Sequence, residues 1–243
     1  MIRLLLLLLL LPAAALARPA FTPEIGTQLD ASATFTDADG HTAPLSDILK
    51  GKPALLILGY HTCPNLCGVV QTRLADALAG TDLPPDAYRA LFVSVAANET
   101  PDDAAANREK LATAVPDAPL APWRFLTGPG GAMARTLGLE TEPRPRTDEY
   151  VHPIAVFALT PDARLARVLP AATFGARDTE LALVEASEGK LGTLADKLYL
   201  LCAGFDATKG QYTPAIMAAV RGGGVVALLT LGAAVLLLSR RRS

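Results

Sequence analysis

The chain has no basic stripe, no internal repeat and no low-complexity tract beyond its leader, and its 243 residues include only three cysteines and three histidines. The first absence argues against nucleic acid as a partner. Residues 18–220 hold 17 Lys and Arg against 24 Asp and Glu, a net −7, whereas nucleic-acid binding needs clustered positive charge. With no repeat to divide it, this 203-residue stretch is long enough for one sizeable core with an extension. Because cysteine is scarce, its spacing carries information, and two of the three lie four residues apart, in Tyr60-His61-Thr62-Cys63-Pro64-Asn65-Leu66-Cys67.

Both ends are hydrophobic. Met1-Ile2-Arg3 is followed by eight leucines, Leu4 to Leu11, and by Ala15-Leu16-Ala17. A charged n-region, a short apolar run and an A-x-A site read as a secretory signal peptide over residues 1–17, although a membrane span is the alternative. The mature domain is then expected in an oxidising compartment, where cysteines are either paired or deliberately kept reduced. At the other end, Gly222 to Leu238 is uncharged, with Arg221 before it and Arg240-Arg241-Arg242 after it. Residues 221–239 are predicted as a transmembrane helix and 240–243 as a cytoplasmic basic tail, because the arginine triplet obeys the positive-inside rule. The alternative is a buried core helix.

Between these ends, residues 18–52 form a lead-in, 53–190 the main domain and 191–220 a C-terminal extension. Asp37-Ala38-Asp39-Gly40 is a turn signal between two extended pieces, and His41 beside it reads as a solvated loop residue. Pro53 to Tyr60 (PALLILGY) and Ala90 to Ala97 (ALFVSVAA) are continuously apolar, as expected of strands buried on both faces of a largely parallel sheet. A helix is predicted from Val69 to Ala79. Thr100-Pro101-Asp102-Asp103 opens another, with an N-cap, proline at N1 and acids in the first turn. Trp123 to Thr127 is a short strand with Trp123 in the core, and Ala132 to Leu139 a short helix. Ile154 to Leu159 and Leu165 to Leu169 form a hairpin, followed by helices from Asp178 to Glu188 and Leu191 to Leu201. This order predicts a thioredoxin-like α/β fold, with the dithiol at the carboxyl end of the first core strand.

If the helix begins near Pro64, Cys63 falls at its N-terminus and Cys67 one turn on, along the same face. Unpaired N–H groups and the helix dipole would favour thiolate there, which suits redox chemistry or a soft metal. A structural disulfide closing a tight turn is the alternative; its short loop would stabilise little.

These residues resemble the Sco/SenC family, the thioredoxin-like copper-handling proteins linked to cytochrome c oxidase assembly. The resemblance rests on CPNLC after a buried strand, His152 85 residues beyond Cys67, and Ser94-Val95 with Glu99-Thr100-Pro101. Phe125-Leu126-Thr127-Gly128 and Leu181 to Leu191 (LALVEASEGKL) add to it, so that it spans roughly residues 26–220, and the subgroup with a C-terminal membrane helix matches the tail. The resemblance implies that Cys63, Cys67 and His152 bind copper. Thiolates favour Cu(I), imidazole accepts Cu(I) and Cu(II), and three ligands leave a side open for handing the ion on. Pro153 restricts the His152 backbone and would help fix the approach of its ring.

The sequence departs from the family pattern at several positions. Ala96 and Ala97 stand where an aspartate and a proline are usual, Pro153 after the histidine is unusual, and Gly204 replaces a histidine near Cys202. Cys202 reads as a buried apolar residue, with a reactive or intermolecular thiol as the alternative. His61 reads as a mainly structural neighbour of the dithiol, with transient ligation as the alternative. Glu99, Asp148 and Glu149 read as solvated loop charges rather than supports of the site.

Two functions follow. One is a non-enzymatic metallochaperone on the periplasmic side of the inner membrane. It would pass copper to the copper-accepting subunit of cytochrome c oxidase, at the CuA centre, with other periplasmic copper chaperones or thiol reductants as further partners. The other is a thiol–disulfide oxidoreductase in which Cys63 attacks, Cys67 resolves and His152 is dispensable. An anchored module that only binds partners is disfavoured because all three ligand residues are present.

Overall fold

The computed structural model describes residues 21–64, 66–144, 149–191, 205–206, 211–212 and 222–232. Its centre is a seven-stranded mixed sheet in the order β2-β1-β5-β4-β3-β8-β9. The strands are β1 (Thr34–Asp37), β2 (Thr42–Pro44), β3 (Ala54–Gly59), β4 (Arg89–Ser94), β5 (Trp123–Thr127), β8 (Ala155–Leu159) and β9 (Leu165–Pro170). Short pairs β6 (Glu142–Arg144) with β7 (Glu149–Val151), and β10 (Phe205–Asp206) with β11 (Gln211–Tyr212), lie outside it. The helices are α1 (Leu45–Leu49), α2 (Leu66–Ala79), α3 (Pro101–Ala114), α4 (Gly130–Thr136) and α5 (Ala176–Ser187).

Strands β3, β4 and β5 are parallel, and every residue of β3 and β4 is buried. Successive side chains of a strand point to opposite faces, so a fully apolar strand supplies two cores. Leu55 and Ile57 join Val70, Leu74, Phe92 and Phe125 on one side; Leu56 and Leu58 join Leu45, Leu91, Leu126 and Leu137 on the other. A buried residue of this size contributes about 1.5–3 kcal/mol. The lead-in belongs to the same sheet: β1 pairs antiparallel with β5, and the Asp37-to-Gly40 turn joins it to β2. Its His41 side chain is 81% exposed, as a solvated loop residue should be.

The approach of α4 to the sheet depends on Gly130. A Cβ there would lie 1.9 Å from the Ser94 carbonyl oxygen, so no side chain fits between α4 and the end of β4. Helix α3 starts where its capping residues predict: the Asp103 N–H donates to Thr100 Oγ1, while the Thr100 N–H donates to Asp103 Oδ2.

Helix α2 begins at Leu66 rather than near Pro64. Cys63 lies in the preceding turn, where its N–H donates to the Tyr60 carbonyl, so this cysteine is not in the helix. Tight connection to β3 explains the difference: the chain completes a turn before it can wind.

Among the described residues, no helix is long and apolar enough to cross a membrane. Residues 222–232 are helical and exposed. The rest of the expected membrane segment 221–239, the 240–243 tail, the 1–17 leader and Cys202 lie outside the described residues, as does the predicted helix from Leu191 to Leu201 apart from Leu191 itself.

Candidate functional site at the carboxyl end of the sheet

Parallel strands release their connections at one end, and that end gathers the chemistry here. β3 delivers Tyr60 to Cys63, β4 delivers Glu99, and β5 ends close to His61, whose Nε2 lies 3.2 Å from the Leu126 carbonyl. β8 runs antiparallel to β3, with Ala54 opposite Leu159 and Ile57 opposite Val156. Continuing that register sets Tyr60 opposite Pro153. A histidine 85 residues from the second cysteine thus arrives beside the turn that carries the first.

Cys63 is partly exposed and Cys67 buried, and neither is in a disulfide. They are hydrogen-bonded to each other. This contact is the largest cause that raises the Cys67 pKa above the ordinary thiol range; burial adds to it, and a backbone hydrogen bond from Tyr60 opposes it. The thiolate-favouring helix end expected for Cys67 is therefore corrected. Although Cys67 lies in the first turn of α2, its low-polarity surroundings and its partner sulfur outweigh the dipole. A soft cation between the sulfurs would supply the positive charge that makes deprotonation favourable.

His152 is half-buried between β7 and β8. Its ring meets that of Tyr60 edge to face, with centroids 6.3 Å apart, and Nδ1 lies 3.0 Å from the Pro153 carbonyl. A carbonyl can only accept, so Nδ1 is the donor, and a neutral ring presents Nε2 as its lone-pair nitrogen. The backbone carbonyl of residue 153 thus orients the ring. Among the described residues, the three ligand atoms of Cys63, Cys67 and His152 do not all fall within 4.8 Å of one another. The fold brings the sulfurs together and sets the imidazole on the same edge.

His61 is buried, packed against Phe92 at 5.1 Å between centroids. With Nε2–H donating to Leu126 O, its Nδ1 accepts from Asn107 Nδ2 at 3.1 Å, and Asn107 Oδ1 accepts from Gln71 Nε2 at 3.4 Å. Burial pushes its pKa below the ordinary value, against the attraction of Glu99. This is a neutral, structurally engaged imidazole, as its flanking position suggested. Beside it, α2 and α3 leave a groove of about 630 Å3 lined by His61, Cys63, Cys67, Val69, Asn107 and Leu111, among others. His152 does not line it.

Glu99 departs from its sequence reading as a solvated charge. Its Oε1 accepts from the Thr62 N–H and Thr62 Oγ1, both at 2.7 Å. Its Oε2 accepts from the His61 N–H at 2.7 Å and from Ser94 Oγ at 2.5 Å. Asn107 and Gln71 were also missed, being single polar residues in helices without a motif. A signal for Glu99 did exist: it immediately precedes the N-cap Thr100, in the loop after the strand adjoining the cysteine-bearing one. Asp148 and the Glu149 side chain lie outside the description.

Comparison with known proteins supports the assignment of the fold. The SCO1/SenC family model matches residues 25–183. A crystal structure from Aquifex aeolicus VF5 superimposes with TM-score 0.59 at 17% identity, covering 69% of this chain and 96% of that one. ScoI of Arabidopsis thaliana, solved with copper bound, gives 0.53 at 16% identity over 68% of this chain and 99% of its own. BsSco, described as a member of the Sco family of cytochrome c oxidase assembly proteins with a disulfide switch, gives 0.52 at 18% identity over 68% and 98%. These likenesses show a mixed α/β, thioredoxin-like Sco fold. A search of curated protein sequences gives no match.

Proposed function

This chain belongs to the SCO1/SenC family, and from that premise we propose that it is a copper metallochaperone, not an enzyme, which holds one copper ion through Cys63, Cys67 and His152. The observation that carries the reading is the pair of adjacent, reduced thiols at the carboxyl end of β3, with an imidazole placed on the same edge by the β3–β8 register. Two sulfurs and one nitrogen suit copper in both oxidation states. Three ligands leave a side of the ion open, which suits a carrier that hands it on.

The copper-bound ScoI structure and the oxidase-assembly role of BsSco belong to those proteins, and they support the same cargo and pathway for this one. In this reading the recipient is the copper-accepting subunit of cytochrome c oxidase, at the CuA centre. The domain works on the periplasmic side of the inner membrane, after removal of residues 1–17, tethered by residues 221–239. A second reading is favoured by the Cys63–Cys67 hydrogen bond itself: sulfurs this close can form a disulfide, so that the pair reduces a partner's cysteines before metal insertion.

The deciding experiment measures copper stoichiometry and affinity of the reduced full-length protein beside Cys63→Ser and His152→Ala. One tightly held copper, lost in both variants, supports the chaperone. Weak binding, or binding indifferent to His152, with retained reduction of a model disulfide, replaces it with the redox reading.

A further inference from the structure

We propose that Glu99 is a positioning residue for the Cys63–Cys67 pair, its carboxylate clamping His61 and Thr62 to the end of β4 and so setting the direction in which Cys63 leaves the sheet. The inference deepens the reading of this site as a copper and dithiol centre, and rests on it for one of its two readouts.

The carboxylate spans two elements. Each oxygen takes one backbone N–H of the cysteine loop, His61 on Oε2 and Thr62 on Oε1, so the plane of the carboxylate fixes two successive peptide groups. The hydroxyls of Thr62 and Ser94 complete the set, one from the loop and one from the last residue of β4. Four donors on one anion are charge-assisted bonds, stronger and more directional than neutral ones. Cys63 is the next residue along, and its own N–H returns to the Tyr60 carbonyl, closing the turn that the carboxylate holds open on its other side.

Glu99 is itself held at a fixed place. The Ala96 N–H donates to Ser94 Oγ, which ties the loop to the strand it leaves. Ala96, buried where the family commonly has an aspartate, brings no carboxylate to this edge. Among the described residues, Glu99 is the carboxylate that bonds to the cysteine loop.

Glutamine at 99 preserves size but replaces one oxygen with an NH2 that faces donors, so one peptide N–H of the loop loses its acceptor. A purely structural role would make this variant behave like any other of equal stability. Thr100→Ala is the matched control, because it weakens the α3 cap on Asp103 and removes none of the four hydrogen bonds to Glu99.

The test follows Glu99→Gln and Thr100→Ala in the full-length protein by two readouts. One is the rate at which Cys63 and Cys67 close to a disulfide in glutathione disulfide, their two electrons reducing it to two thiols, with the product located by peptide mapping. The other is the affinity and the sulfur-to-copper charge-transfer band of the Cu(II)-loaded protein. Glu99→Gln is expected to slow closure, to shift the band and to weaken copper about tenfold, the usual scale for a group that orients a metal ligand. Thr100→Ala is expected to do none of these at a comparable loss of thermal stability. Closure, band and affinity unchanged in Glu99→Gln overturn the proposal. If wild type takes up no copper, the chaperone reading fails and the closure rate alone still decides Glu99. Should Glu99→Gln not fold, Thr62→Val, which removes a single hydroxyl bond, must slow closure in the same direction or the proposal falls.

Discussion

Cys67 Sγ occupies the space that a side chain on Gly59 would need. A Cβ at Gly59 would come within 3.1 Å of that sulfur and 2.9 Å of Phe92 Cζ, so the last residue of β3 is glycine because the thiol and the ring close over it. Gly59→Ala is expected to destabilise the fold by about 1–3 kcal/mol, the usual cost of overpacking. The shorter contact is with the Phe92 ring, so that ring must shift, and the sulfur must give by a few tenths of an ångström. Denaturant unfolding should show the loss, and the copper charge-transfer band should shift with it.

The two thiols should react unequally. Cys63 is partly exposed, whereas Cys67 is buried and its pKa is raised by the hydrogen bond with Cys63 and by desolvation. Only the thiolate alkylates. Iodoacetamide at mildly alkaline pH is expected to label Cys63 well before Cys67 in the native protein, with the difference abolished in urea. Equal native rates, read by peptide mapping, would contradict the packing described.

Acid should weaken the fold through His61. Its folded pKa lies below the ordinary value, chiefly because burial disfavours the charged ring, so as pH falls through about 6.5 the unfolded chain takes up a proton that the folded chain refuses. Stability is fully present above that pH and is lost progressively below it, until the folded ring also titrates. Unfolding midpoints between pH 7.5 and 5 should fall more steeply for wild type than for His61→Gln. The depressed carboxyls of Asp103 and Asp162 act in a separate window, below their ordinary value of 3.8.

The α3 cap carries a conventional cost. Thr100→Ala removes an acceptor for the Asp103 N–H and the hydroxyl that bonds the Asp103 carboxylate. A loss of about 1 kcal/mol is expected in chemical denaturation, with the denaturant slope unchanged.

Local chemistry determines much of this protein. The unbroken apolar runs of β3 and β4, the Thr100-Pro101 cap and the hairpin of β8 and β9 follow from burial period, capping and turn residues, which act over a few positions. The paired cysteines and the family likeness pointed to the site for the same reason, since CPNLC is a local motif. Tertiary structure alone decided the rest. The antiparallel pairing of β1 with β5 draws the lead-in into the sheet. Cys63 stands outside α2, and the ionisation of Cys67 follows from its burial and its partner sulfur, overriding the helix end. The orientation of His152 by the Pro153 carbonyl and the grip of Glu99 on His61 and Thr62 join residues by strand register and by loops from neighbouring strands. The energy of such contacts depends on distance and solvent exclusion, and neither is written in the order of residues along the chain.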